Sequence, residues 1–178
     1  GCEFIVKVAG EQTNVDVVAL FENNLTGTLP RELKDLTHLR SLQLYSNAIG
    51  GTIPSELGQL AELRSLYLTN NTLSGSIPES FGALKNLEVL YLAGNQLTGP
   101  LRAQIGDMTG LVEFSASQNM LSGSLPSSLA NLTNLVDLEL GENQFSGAIP
   151  GALGSLPKLE RLGLTSNGFS GVIPHELG

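Results

Sequence analysis

The chain has 178 residues, 41% of them hydrophobic and 15% charged, a composition that supports one folded domain with a substantial core. Its formal net charge is −8, and the nine basic residues are scattered from Lys7 to Arg161 instead of gathering on one segment, which argues against nucleic acid as a partner. There is no apolar run near the roughly 18 residues of a membrane span and no charged-then-apolar leader, so this segment is expected to make no membrane contact of its own.

Residues 1–14 stand apart from the rest of the chain. "GCEF" precedes a strand-like "IVKVAG", and the only cysteine, Cys2, lies here. An odd cysteine points to a reactive thiol, to half of a bridge, or to an inert buried thiol, and the residues alone leave these open.

From residue 15 the chain repeats itself. Asn23, Asn47, Asn71, Asn95, Asn119, Asn143 and Asn167 recur at an interval of 24 with no slip. Four positions after each comes Gly27, Gly51, Gly75, Gly99, Gly123, Gly147 and Gly171. Seven positions after comes Pro30, Pro54, Pro78, Pro126, Pro150 or Pro174, with Arg102 in the fourth unit as the exception. The remaining fixed columns are apolar: Leu63, Leu66, Leu68, Leu73, Ile77, Phe81 and Leu84 in the third unit, and Leu, Val, Ile, Met, Phe or the single Ala116 elsewhere. So few apolar positions per unit form no core alone, and a constant period of this length means similar units stacked side by side.

Within a unit, the alternation Leu66-Tyr67-Leu68 has period two and predicts a short half-buried strand, one per unit, the seven lying in parallel. The asparagine that ends each strand carries donors and an acceptor on one short side chain, so the column reads as a structural ladder bonding its own and the adjacent unit. The glycine suits a tight turn or close backbone approach, and the proline ends any ladder there. "ESFGALKN" then returns the chain; it is too short and glycine-interrupted for a long helix, and a 3₁₀-like turn is expected. At Arg102 the register is expected to hold, since proline only reinforces a dihedral set by its neighbours.

The pattern LxxLxLxxNxLxGxIPxxLGxL, present as "LRSLYLTNNTLSGSIPESFGAL", resembles the plant-type leucine-rich repeat over residues 15–178. The resemblance implies a repeat solenoid of α/β type: a right-handed superhelix with a parallel sheet on its concave side and 3₁₀ or loop returns on the convex side. It further implies an extracellular or cell-surface setting, as in receptor-like kinases, receptor-like proteins and polygalacturonase-inhibiting proteins. Two departures are visible. The family usually opens with a cysteine-paired cap carrying a tryptophan, whereas this chain has no Trp, and the seventh unit stops at "IPHELG". Residues 1–14 therefore read as the remnant of a cap, Cys2 as half of its disulfide, and the chain as an excerpt of a longer protein.

Catalytic and metal-binding constellations are not expected. His38 and His175 are the only histidines and belong to no HExxH or spaced cysteine set, paired carboxylates such as Glu32 and Asp35 fall in return segments, and the glycines follow the repeat instead of a phosphate loop. The expectation is a protein that is no enzyme and carries no cofactor.

What varies between units is the set of outward strand positions, where function on a rigid scaffold is usually placed. In chain order they read Val17, Ala19, Phe21; Ser41, Gln43, Tyr45; Ser65, Tyr67, Thr69; Val89, Tyr91, Ala93; Glu113, Ser115, Ser117; Asp137, Glu139, Gly141; and Arg161, Gly163, Thr165. All three tyrosines plus Phe21 fall in the first four units, and Glu113, Asp137 and Glu139 come after them, with Glu142 alongside. Tyrosine offers a rigid apolar body with a polar tip, so Phe21, Tyr45, Tyr67, Tyr91, Glu113, Asp137 and Glu139 are the expected contacts for a peptide or protein ligand. A co-receptor or a cell-wall component is a further candidate partner.

A second reading is a structural, wall-associated or ice-binding protein using hydroxyl rows at the turn edge. These are Thr26, Ser74, Thr98, Ser122, Ser146 and Ser170 with Thr28, Thr52, Ser76 and Ser124 beside them, interrupted by Gly50, Pro100, Ala148 and Val172. Three Asn-x-Ser/Thr sequons, at Asn24, Asn70 and Asn131, are candidate glycosylation sites, with Asn131 on the outer return segment favoured.

Overall fold

A computed structural model of the chain describes residues 15–178; Cys2 and the expected cap remnant at 1–14 lie outside them. Each unit opens with a three-residue strand: Val17–Ala19, Ser41–Gln43, Ser65–Tyr67, Val89–Tyr91, Glu113–Ser115, Asp137–Glu139 and Arg161–Gly163. These pair in parallel in chain order into a seven-stranded sheet, every residue opposite the one 24 further on, as Leu42 is to Leu66 and Leu66 to Leu90. The period of two sends the central leucines inward and their neighbours outward. Leu42, Leu66, Leu90 and Leu138 are fully buried, while Ser41, Tyr67, Glu113 and Asp137 are half-buried on the concave face.

A second parallel seven-stranded sheet comes after the asparagine turn, where the sequence suggested only a turn. Its strands are Thr26–Thr28, Ala48–Thr52, Thr72–Gly75, Gln96–Gly99, Met120–Gly123, Gln144–Gly147 and Gly168–Phe169. In the third unit Leu73 points into the core between Thr72 and Ser74, the same alternation as in the first sheet. The recurring glycine takes a positive φ in every unit, and in the second unit it also admits a close approach of the neighbouring unit. Gly51 sits at φ 72°, and a Cβ there would lie 2.7 Å from the Thr28 Cγ2 of the preceding unit.

The returns are 3₁₀ helices, among them Arg31–Asp35, Ser55–Gln59, Glu79–Ala83 and Ala103–Asp107. Pro30, Pro54 and Pro78 precede them at φ between −63° and −75°. Arg102 takes φ −78° and ψ 156° in the same place, and its helix starts in register, because the flanking strand and core leucines already define the path.

The core runs the length of the solenoid as one stack of leucines filled out by Phe81, Phe114 and Phe145, the largest fully buried side chains. The asparagine column lines its edge. Asn71 Nδ2 donates to the Leu68 carbonyl of its own strand (3.2 Å) and to the Leu44 carbonyl of the preceding unit (2.9 Å), while its Oδ1 accepts the Ile49 N–H (3.0 Å). Asn119 repeats this with Ala116, Leu92 and Leu97. One side chain thus satisfies three backbone groups at a turn that the sheet ladders do not reach.

Candidate ligand-binding face

The concave sheet offers three columns of outward positions, and register fixes who stands beside whom. One column reads Ser41, Ser65, Val89, Glu113, Asp137, Arg161; the next reads Gln43, Tyr67, Tyr91, Ser115, Glu139, Gly163. Phe21 and Tyr45 belong to the third, at the strand ends.

Phe21 stacks on Tyr45 with ring centroids 4.5 Å apart and planes within 6°. Tyr45 meets Tyr67 edge-on at 6.4 Å, and Tyr67 meets Tyr91 edge-on at 5.4 Å. The four expected aromatic residues therefore form one continuous chain, in the geometries that ring quadrupoles favour. Tyr45, Tyr67 and Tyr91, with Gln43 and Thr69, line an open hollow of about 440 Å³. A larger hollow of about 850 Å³ lies along the 3₁₀ edge between Thr28, Pro30, Pro54 and Pro78, but gathers no aromatic side chain and only Arg31 and Glu56 as charges. Concave shape, aromatic lining and nearby charge converge in the smaller one.

The aromatic chain continues into charge. The Tyr91 hydroxyl donates to the Glu113 carboxylate on the next strand. Burial first, then this bond to a negative group, raises the Tyr91 pKa above the ordinary phenol value. Asp137, the register partner of Glu113, accepts from Arg161 Nε (2.9 Å) and Nη2 (2.7 Å) through Oδ2 alone. That bond raises the Arg161 pKa further. Asp137 Oδ1 is buried and has no hydrogen-bond partner among the described residues. Glu139 extends over Gly163, whose missing side chain leaves room for the carboxylate. The three acids are thus unequal: Asp137 has one oxygen held by a guanidinium, whereas Glu139 makes no such pair among the described residues.

Arg161, Gln43 and Thr69 join the face without having been expected there as contacts. The sequence signal for Arg161 is its place one repeat after Asp137; that for Gln43 and Thr69 is their position flanking the tyrosines. The sequon residues lie elsewhere. Asn24 and Asn70 occupy left-handed turn positions at φ 54°, with Thr72 of the second sequon already donating to the Ile49 carbonyl (3.1 Å). Asn131 ends the helix Ser127–Asn131 on the convex side and is exposed, as is Thr133. His38 stands on a return segment beside Glu62, away from the concave face. Among the described residues no group of three or more His, Cys, Asp or Glu is placed to hold a metal, and no helix is long and apolar enough to cross a membrane.

The sequence profile of the leucine-rich repeat region matches residues 16–171. The chain belongs to the leucine-rich repeat family. Among curated proteins no match is found. Among solved structures, this leucine-rich repeat chain is similar to the ectodomain of the plant membrane receptor kinase GASSHO1/SCHENGEN3 from Arabidopsis thaliana, solved in complex with CASPARIAN STRIP INTEGRITY FACTOR 2. Identity is 40% over 89% of this chain and 19% of that one, with a TM-score of 0.88. It is also similar to the plant peptide hormone receptor RGFR1 in complex with RGF2, at 35% identity over 92% of this chain and 26% of that one, TM-score 0.90. A plant ice-binding protein matches at 26% identity over 90% of this chain and 67% of that one, TM-score 0.65. The chain spans about a fifth of the first receptor chain and about a quarter of the second.

Proposed function

We propose that this leucine-rich repeat segment is an extracellular recognition module that captures a peptide on its concave face, as part of a receptor or an inhibitor. The observation that carries this reading is the hollow lined by Tyr45, Tyr67 and Tyr91, set on a rigid sheet and continued by carboxylates. The two similar receptors, each solved with its peptide or factor, support it. The reading assigns binding and no catalytic step. Panning a displayed library of random dodecapeptides on the protein tests it: the expected result is enriched peptides that lose binding when Tyr67 and Tyr91 are both replaced by Ala in a variant that still unfolds cooperatively above the assay temperature. Enriched peptides indifferent to that double replacement would overturn the concave-face reading.

The likeness to an ice-binding protein keeps a second reading in view. In this chain the hydroxyl rows at the turn edge are broken at Gly50, Pro100, Ala148 and Val172, and within them Ser74 turns its hydroxyl to the Gly51 carbonyl. Such a face is not continuous, and no thermal hysteresis is expected. A measurable freezing-point gap would reverse the order of the two readings.

A further inference from the structure

Most of the aromatic and charged side chains stand in different columns; Glu139 alone shares that of Tyr67 and Tyr91. Phe21 and Tyr45 lie at the strand ends, Tyr67 and Tyr91 one position pair further back, and Glu113, Asp137 and Arg161 one pair further still. Since each column is two residues from the next, the series crosses the sheet on a diagonal. Six unit steps of roughly 4.8 Å with a sideways shift of four residues give a track of about 32 Å, the reach of nine or ten extended residues.

Along this track the chemistry changes once, from rings to charge. The first half is aromatic. The second holds three carboxylates, Glu113, Asp137 and Glu139, against one guanidinium, Arg161, which leaves two negative charges uncompensated. Glu113 and Asp137 are register partners on neighbouring strands, an arrangement that like charges disfavour. Arg161 approaches Asp137 from the far side and reaches only Oδ2, so the buried Oδ1 lacks a donor among the described residues. That oxygen is closed to solvent and therefore to a ligand, so the accessible excess charge is that of the half-buried Glu113 and Glu139, which an ammonium or guanidinium offsets. Tyr67 and Tyr91 present ring surface just before the carboxylates, which a cation also favours.

Resting on the peptide-binding reading, we infer that the ligand is an extended peptide lying along this diagonal. An apolar side chain sits in the Tyr45–Tyr67–Tyr91 hollow, and a lysine or arginine lies over Glu113, Asp137 and Glu139. From Tyr67 to Asp137 is three unit steps and one column, roughly 16 Å, so the basic residue stands about four or five positions before or after the apolar one.

The test uses peptides enriched from the dodecapeptide library on the protein and on its Glu113→Gln, Glu139→Gln double variant, whose folding is checked by its melting temperature. On the unmodified protein an excess of Lys or Arg at that spacing from an aromatic or aliphatic residue is expected; on the variant that excess disappears. Replacing the basic residue by citrulline or norleucine weakens binding to the unmodified protein at least about tenfold and binding to the variant much less. Enriched peptides that lack the basic residue, or bind both proteins equally, overturn this assignment while leaving concave-face capture intact. A library from which nothing is enriched overturns both.

Discussion

The Tyr91 hydroxyl donates to the Glu113 carboxylate across neighbouring strands, joining the last ring of the aromatic chain to the first acid of the charged half. The bond holds Tyr91 tilted against Tyr67 and engages one Glu113 oxygen.

The same bond has a titration signature. Burial and the neighbouring carboxylate raise the Tyr91 pKa above its ordinary value of 10.0. A folded-state pKa raised above the unfolded one contributes stability that is fully present below about pH 10 and is lost as pH rises through the folded value. Subtracting the phenolate absorbance of Tyr91→Phe from that of the parent isolates this group. Its ionisation is expected above pH 10, moving down in Glu113→Gln; a midpoint at the ordinary value in the parent would contradict the geometry.

Asn71→Ala is expected to destabilise the fold by about 2–4 kcal/mol, because it strands two carbonyls and the buried Ile49 N–H at once. Asn23→Ala, at an exposed end of the column, should cost less. Urea unfolding midpoints of the two variants compare them directly, and equal shifts would show that the column adds nothing beyond its turn geometry.

Every unit places the residue before its ladder asparagine in the left-handed region, which Gly94 adopts without strain, whereas Ser46, Gln118 and Glu142 sit there at φ 54–55°. Ser46→Gly relieves roughly 1–2 kcal/mol of steric cost but adds unfolded-state freedom worth about 0.4–1 kcal/mol, so a net gain of about 0.5–1 kcal/mol is expected. Gly94→Ala should be destabilising, since its Cβ would also collide with Asn70 Oδ1. Thermal melts of the two variants must move in opposite directions.

For a peptide bound on the concave face, truncating Tyr67 or Tyr91 to Ala should cost about 2 kcal/mol or more in binding, and Glu56 or Lys85 on the return segments almost nothing. The carboxylates should act mainly on the association rate, an effect that weakens with salt. Stopped-flow association at two ionic strengths separates the contributions.

If the protein is made through a secretory route, a glycan is expected at Asn131, at the end of a return helix on the convex side, with Thr133 of its sequon exposed. Asn70 is a poor acceptor because the Thr72 hydroxyl is committed to a backbone carbonyl. Intact mass before and after deglycosylation, with Asn131→Gln alongside, reads the occupancy; a glycan surviving that replacement would show that a turn sequon is used.

Period and composition by themselves determined the stacking, the parallel first sheet, the 3₁₀ returns and the buried columns. A leucine recurring every 24 residues has no other way to leave water than against its own copies. The same spacing placed the tyrosines on one face, since side-chain direction in a strand has a period of two. The second sheet was legible only faintly, in the alternation of Thr72, Leu73 and Ser74, because glycine beside small hydroxyls reads equally well as a turn; neighbouring backbones at hydrogen-bond distance decide it. Which charges are spent was decided in three dimensions alone. Arg161 lies one repeat beyond Asp137, but that it reaches Oδ2 and leaves Oδ1 bare depends on how two side chains fold across a strand gap, and the Tyr91–Glu113 bond depends on a ring tilted by its neighbour. Strand register assigns neighbours, whereas rotamers and packing select which of them bond.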